Sequence, residues 1–300
     1  MTAARGADRR ELWGSLISIV SSAAAGASLV AVRFAVAEMP PLTLTLMRIA
    51  IALALIAPLA LALGGRWPRG RELVQIMALG ILVFALAQWL VSLSLVFTTV
   101  ARGAIIFSTV PVMTLVAAAA LGVERLTLAK GAGVLLATAG VVLAMGGGAS
   151  GEPNAWRGDL IMLAAAVAIA AYNIGARGPS RRYAPLVFIT ANMAPAVLVL
   201  AVATAASGLP VLALDLSTPV WTAVAFVGIV GGAIAHGLYL FSIRLTTPTR
   251  VAIAMPANPL AAILLAAAIL GEPIGAGAMA GFVCVAVGVV LANLPARPTG

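Results

Sequence analysis

The chain is built from long apolar stretches that short groups of charged, glycine and proline residues separate. A helix needs about 20 apolar residues to cross a bilayer. Cutting the chain at the polar groups predicts ten spans, near 12–35, 41–64, 73–97, 101–121, 127–146, 158–176, 185–207, 218–243, 249–270 and 274–294. The pattern therefore predicts an all-α integral membrane protein with ten transmembrane helices.

The composition excludes a water-soluble fold. Of 300 residues, 63% are hydrophobic and 9% are charged, and the mean hydropathy is +1.14. A soluble domain carries about 25% charged residues. The spans leave no room for a soluble catalytic domain, so we do not expect an enzyme. The single cysteine, Cys284, excludes an internal disulfide and a multi-cysteine metal site, and we expect no cofactor.

Lysine and arginine are distributed unevenly between the two sides of the predicted spans. Segments rich in them stay cytoplasmic. With the N-terminus inside, fourteen of the 18 lie on the inner side, three (Arg33, Arg102 and Arg157) lie outside, and Arg48 falls within a span. This bias predicts a multi-pass inner (plasma) membrane protein with both termini in the cytoplasm. The net charge of +9 then reflects membrane topology and does not indicate binding to nucleic acid. We expect a monomer whose partner is the lipid bilayer.

The two halves of the chain are related by an internal repeat. A shift of 148 residues aligns 79–144 with 227–292 without a gap. Gln88 then meets His236, and the threonine, arginine, proline and glutamate residues around the fourth and ninth spans also match. Polar residues are costly in lipid, so such matches are not expected by chance.

The repeat predicts two five-helix domains, 1–148 and 149–300. Because five is an odd number, the second copy must enter the membrane upside down relative to the first. Inverted repeats are the architecture of alternating-access transporters, whose substrate site lies near the midplane between the halves. The sequence thus predicts two inverted repeats around a central cavity that takes a small-molecule substrate.

Several stretches also match a known family. The second span opens with 41–48 (PLTLTLMR), and the fourth and ninth spans end in 121–124 (LGVE) and 270–273 (LGEP), each followed by a glycine-rich helix. In these stretches the chain resembles the EamA-type members of the drug/metabolite transporter superfamily, and among them it is most similar to YddG-type exporters of amino acids.

The resemblance covers nearly the whole chain and implies ten helices around a central cavity. One departure concerns the first and sixth helices, where the family often carries tryptophan. Here those positions hold Ala25 and Ile169. Smaller side chains at these positions imply a wider cavity.

Gln88 and His236 are the leading candidates for substrate binding. Each lies roughly midway along its span, and the two positions are equivalent in the opposed halves. A buried amide and imidazole need polar partners, which a substrate in a water-filled cavity supplies. The alternative is an ordinary interhelical hydrogen bond, worth about 0.6 kcal/mol.

Other candidates lie beside these two residues or where a span is interrupted. The further candidate substrate-binding residues are Trp89, Ser92, Phe107, Tyr172, Asn173, Tyr239 and Asn258. Contact with lipid (Trp89), a helix-end hydrogen bond (Tyr172, Asn173) and core packing (Phe107) remain their alternative roles. Pro111, Pro256 and Pro259 are expected to break or kink the fourth and ninth helices, since each proline frees a carbonyl oxygen from its helical bond.

Three charged residues are expected to have structural roles. We expect Arg48 to reach the headgroups or pair with Glu38 rather than bind a carboxylate. Glu124 and Glu272 precede the fifth and tenth helices, where the N-terminal helix dipole stabilises a carboxylate, so capping is expected.

No aspartate or glutamate falls in the centre of a predicted span, which disfavours proton-coupled efflux of cationic drugs. A facilitator or exchanger of neutral or amphiphilic metabolites, amino acids and aromatic ones among them, is favoured. Proton-coupled export through His236, the one side chain that titrates near neutrality, stays open. An intramembrane protease is disfavoured, since no Gly-x-Ser-x-Gly motif occurs. A channel is the remaining alternative.

Overall fold

The computed structural model describes residues 2–122, 127–146, 154–213, 215–235, 237–238, 242, 245 and 254–293. Every regular element within these ranges is helical. The long helices are α1 Thr2–Ala35, α2 Pro41–Leu63, α3 Gly70–Phe97, α4 Val100–Ala120, α5 Leu128–Gly146, α6 Ala155–Gly175, α7 Pro185–Ala206, α8 Thr218–Ile234, α9 Ala257–Leu270 and α10 Ala276–Asn293. A single helical turn, Pro179–Arg182, lies between α6 and α7.

Seven of these helices are long and apolar enough to cross a membrane. They are α1, over Leu12–Ala35, and α2 to α7. The apolar helices α8, α9 and α10 are shorter within the described residues. The predicted all-helical membrane architecture is confirmed in this part of the chain. The number of ten spans and the cytoplasmic position of both termini stay predictions.

Predicted and observed boundaries agree closely where proline begins a span. The predicted spans 41–64 and 185–207 are observed as Pro41–Leu63 and Pro185–Ala206. Proline suits the first helical position because its fixed φ fits the helix and its missing N–H would have no helical partner there.

Helices α3 and α8 each contain a π-helical segment, Ile81–Ala87 and Val227–Ile234. Such segments are rare and often mark functional sites. The 148-residue shift carries 81–87 onto 229–235, so the two segments nearly coincide in the repeat. Gln88 is the first residue after the segment in α3.

Helices α5 and α10 pack closely and run antiparallel. A Cβ added to Gly133 would lie 2.6 Å from the main-chain oxygen of Gly288, and one added to Gly281 would lie 2.6 Å from that of Gly140. Residue numbers rise along one helix as they fall along the other, which gives the antiparallel direction. Lipid removes the hydrophobic drive for association, so membrane helices depend on such close backbone contact.

The first five helices pack against the last five in a reciprocal pattern. Helix α1 packs on α9 as α6 packs on α4. Helix α2 packs on α8 as α7 packs on α3, and α2 and α7 pack on each other. The interior between the halves is therefore formed by helices from both.

Candidate functional site

A group of polar side chains joins α2 to α3 inside the helix bundle. Thr45 and Ser92 are buried, with their hydroxyl oxygens 3.0 Å apart, and the Ser92 hydroxyl donates to the main-chain oxygen of Gln88 at 3.1 Å. Nη2 of Arg48 donates to the side-chain Oε1 of Gln88 and to its main-chain oxygen at 3.3 Å. We call these four residues the α2–α3 polar cluster. It brings together two predicted substrate-binding residues and Arg48.

The expected environment of Arg48 is corrected by the structure. Its side chain does not extend to the headgroups, because the residue is only 6% exposed. Nor does it pair with Glu38, whose carboxylate accepts a hydrogen bond of 3.0 Å from the Ser217 hydroxyl. The guanidinium contacts α3 instead, where the side-chain amide oxygen of Gln88 accepts its hydrogen bond.

Helix α4 is interrupted near its middle. The segments Val100–Phe107 and Val110–Ala120 are separated by a turn at Ser108 and Thr109. Pro111 lies in the first turn of the second segment. A proline is tolerated there because its missing N–H would have no helical partner in the first turn.

The second half contains a corresponding interruption. A turn at Met255 and Pro256 follows the helical Ala254 and precedes α9. Pro259, in the first turn of α9, is buried and lies 148 residues after Pro111. Transporter substrate sites are commonly built from discontinuous helices in corresponding positions of the two halves.

Asn258 lies in the first turn of α9 beside this interruption. Its side-chain oxygen Oδ1 is buried and has no hydrogen-bond partner. Helix α1 passes directly over its backbone, since a Cβ on Gly26 would collide with the Asn258 carbonyl group. A buried amide oxygen without a donor is costly, which agrees with a role in contacting a polar ligand.

A buried ion pair lies where α3, α4 and α6 meet. Arg102 donates to both carboxylate oxygens of Asp159, and Thr98 Oγ1 donates to Oδ1 of the same carboxylate at 2.7 Å. Asp159 is 1% exposed and Arg102 is 8% exposed. Arg102 lies in the first turn of α4, and Asp159 neutralises its charge inside the bundle. Its position on the outer side of the membrane stays a prediction.

Glu272 caps a different helix from the one expected. Gly271 adopts a left-handed conformation with φ of 67° and ends α9, and the chain then turns toward the start of α4. The two carboxylate oxygens of Glu272 accept from the N–H of Val100 at 3.0 and 3.1 Å. The Nε atom of Arg33 lies 3.9 Å from this carboxylate, while its Nη1 donates to the Leu95 carbonyl at 2.5 Å. These contacts join α1, α3, α4 and α9 at one end of the bundle.

The remaining predicted site residues are placed as follows. Trp89 is half-buried. Phe107 packs against a core cluster to which α1, α2, α3, α4, α6, α8 and α9 contribute. Tyr172 packs against two core clusters, and the amide nitrogen of Asn173 donates to Thr114 Oγ1 at 3.2 Å. His236, Tyr239 and Glu124 lie outside the described residues.

A group of polar side chains joins the start of α3 to the segment before α7, at the end of the bundle that is predicted to be cytoplasmic. The Tyr183 hydroxyl and Arg182 both donate to the Glu72 carboxylate. The bond to this carboxylate raises the pKa of Tyr183. A cavity of about 250 Å³ lies beside this carboxylate and is lined by Gly65, Arg66, Trp67, Arg69, Glu72 and Tyr183.

In the part of the chain that the structure describes, no cluster of histidine, cysteine and carboxylate groups could hold a metal ion.

Sequence reasoning missed Asn192 as a candidate. It lies in α7, is fully buried, and leaves its side-chain oxygen without a hydrogen bond while its amide donates to Phe188. The signal was present: Arg48 and Asn192 each follow by seven residues a proline that begins a helix. The packing shows the same correspondence between the two positions. Gly80 of α3 lies against the backbone of Asn192, and Gly228, which matches Gly80 in the 148-residue shift, lies against the carbonyl of Arg48.

Comparisons with known proteins agree with this architecture. The EamA-like transporter family model matches twice, over residues 12–146 and 156–294. The uncharacterized inner membrane transporter YedA of Escherichia coli K12 is 27% identical over 252 residues, which cover 82% of this chain and 79% of YedA. YedA of Escherichia coli O157:H7 matches to the same extent. A solved crystal structure aligns with a TM-score of 0.66 at 21% identity, over 94% of this chain and 97% of its own, and supports the fold alone.

The matched residues include nearly all of the described helices, so the chain belongs to the EamA-like transporter family. It is a multi-pass membrane transporter, and its relative is an inner membrane protein. This confirms the class that the hydropathy pattern and the motifs predicted.

Proposed function

We propose that this transporter exports small neutral or amphiphilic metabolites, amino acids among them, by alternating access as a facilitator or exchanger. The observation that carries the proposal is the reciprocal packing of the first five helices on the last five. Two halves related by a pseudo-two-fold axis in the membrane plane would pack in this way.

The antiparallel contact of α5 with α10 supports an inverted repeat. These helices are the fifth of each predicted half, and their glycines meet as Gly133 with Gly288 and Gly140 with Gly281. A direct repeat with the same orientation would make them parallel. The corresponding interruptions of α4 and before α9 support a substrate site between the halves, where rocking of one half on the other would expose it to either side in turn.

The composition of the interior supports the substrate class. The α2–α3 polar cluster and Asn258 offer guanidinium, amide and hydroxyl groups within mostly apolar helices. Such a lining suits a ligand with a polar head and an apolar body. The resemblance to YddG-type exporters points to the same class.

Counterflow in liposomes tests this function. Purified protein is reconstituted in liposomes loaded with one unlabelled amino acid at a time, and uptake of the same labelled amino acid is followed with and without a pH gradient. We expect preloading to accelerate uptake of at least one amino acid and the pH gradient to leave it unchanged. Uptake that follows the pH gradient and ignores preloading would support proton coupling instead.

Gln88→Ala and His236→Ala are expected to lower counterflow several-fold while leaving membrane insertion intact. Gln88 is chosen because it belongs to the α2–α3 polar cluster. His236 is chosen because the 148-residue shift aligns it with Gln88. Thr138→Ala is the matched control, because that hydroxyl lies on an exposed face and bonds only its own helix. Counterflow at the wild-type rate in either test variant would remove that residue from the site.

Cysteine labelling tests the orientation. Cys284→Ser gives a cysteine-free background, into which Ser180→Cys or Ser207→Cys is introduced. Both serines are exposed, one in the helical turn before α7 and one in the turn after it. The positive-inside bias predicts that a membrane-impermeant maleimide labels intact cells at position 207 only. Labelling at position 180 only would reverse the predicted orientation.

A further inference from the structure

Arg48 is a buried cation inside a membrane-spanning helix. It lies seven residues after Pro41, which is about 10 Å along α2 at the usual helical rise. The residue is 6% exposed and its Nε atom is buried without a hydrogen-bond partner. A charge at such a position is expensive and generally marks a functional site.

The charge of Arg48 has no ionised partner among the described residues. Its hydrogen bonds go to the neutral side-chain amide and the carbonyl of Gln88. The buried or half-buried carboxylates that the structure describes are engaged elsewhere, Asp159 by Arg102, Glu272 by Val100 and Glu72 by Arg182. A buried arginine that meets only neutral acceptors is left with uncompensated charge.

The unpaired atom lies on the side of the guanidinium that recognises carboxylates. Nε and Nη2 form one edge of the group, and two parallel N–H bonds from this edge fit the two oxygens of a carboxylate. Oε1 of Gln88 accepts a hydrogen bond from Nη2, while the N–H at Nε has no acceptor. The amide oxygen thus stands where one carboxylate oxygen would bind.

We propose that Arg48 binds the carboxylate of the transported solute, with Gln88 giving up its place on Nη2 as the solute enters. This inference rests on the proposed transport of amino acids or related metabolites, and it adds that the carboxylate is the group recognised. It also gives Gln88 a second role, as the neutral ligand of Arg48 when the site is empty.

Ligand analogues test this by thermal unfolding of the purified transporter in detergent. The probes are L-phenylalanine, 3-phenylpropionate without the ammonium group, phenethylamine without the carboxylate, and inorganic phosphate and chloride at equal ionic strength. We expect the two carboxylates to raise the Tm and phenethylamine to leave it unchanged. If no carboxylate in this set, nor acetate or benzoate, raises the Tm, the proposal is wrong; an equal rise with phosphate or chloride would also overturn it, as general anion binding.

Variants then assign the effect to Arg48. Arg48→Gln is expected to weaken 3-phenylpropionate binding at least about 30-fold, as for loss of one partner of a buried charge pair, and Arg48→Lys by less. Arg157→Gln is the control, because it removes the same charge from an exposed arginine over Trp156. Gln88→Glu supplies a carboxylate from within the protein, so it should raise the Tm without ligand and abolish binding of 3-phenylpropionate.

The outcome for Gln88→Glu separates this proposal from a purely structural role of Arg48. A structural role predicts higher stability with binding intact, which would overturn the inference. Failure of the proposed function is recognised differently, as absence of counterflow for every amino acid while 3-phenylpropionate still raises the Tm of the wild type and not of Arg48→Gln.

Discussion

Asp159→Asn is expected to lower the free energy of unfolding by about 3–5 kcal/mol, the usual cost of removing one partner from a buried ion pair. The carboxylate is 1% exposed and accepts from Arg102 and from Thr98. The substituted amide would leave the guanidinium buried with no counter-ion. Unfolding in mixed micelles of increasing denaturing detergent, followed by tryptophan fluorescence, measures the change.

A double replacement separates the ion pair from its surroundings. Arg102→Met with Asp159→Leu removes both charges, and replacing a buried pair by apolar groups is often neutral or stabilising. We therefore expect the double variant to be more stable than Asp159→Asn. Arg182→Gln is the control, because Arg182 is 67% exposed in its pair with Glu72 and such pairs contribute about 0–1 kcal/mol. Equal losses in the buried and the exposed variants would contradict this assignment.

The helices could be predicted from sequence because lipid imposes their length and composition. Helix α2, predicted as 41–64, differs from Pro41–Leu63 by one residue, since proline and glycine mark its ends. Pro111 and Pro259 match in the 148-residue shift, and the structure has a turn within α4 and another directly before α9. Proline acts on its own backbone, so its effect is local and can be inferred without a structure.

The partners of charged residues could not be predicted, because they depend on tertiary packing. Glu272 precedes α10 in sequence but caps α4, which lies 172 residues away along the chain. Arg102 lies at the start of a predicted span, and its partner Asp159 lies 57 residues away along the chain. Hydropathy describes each residue alone, whereas a buried ion pair is a property of two segments that only the fold brings together.

Gly281→Ala is expected to destabilise the protein by about 1–3 kcal/mol, the usual cost of overpacking, and Gly281→Leu by more. Its added Cβ would lie 2.6 Å from the main-chain oxygen of Gly140, and neither backbone can move aside without parting α5 from α10. The same unfolding assay measures the loss. Gly131→Ala is the matched control, since a Cβ at that position of α5 meets nothing within 4 Å and alanine favours the helix.

Double substitutions test whether the two glycine contacts act as one interface. Gly133→Ala and Gly288→Ala each enlarge the same contact, and one separation of the helices relieves both. Their combined cost should therefore be clearly less than the sum, as for residues that share a contact. Gly133→Ala with Gly281→Ala enlarges both ends of the interface, so no tilt of α10 relieves the two together and the cost should approach the sum. Additive losses in both pairs would mean that the helices respond locally, and rigid packing of α5 on α10 would then be excluded.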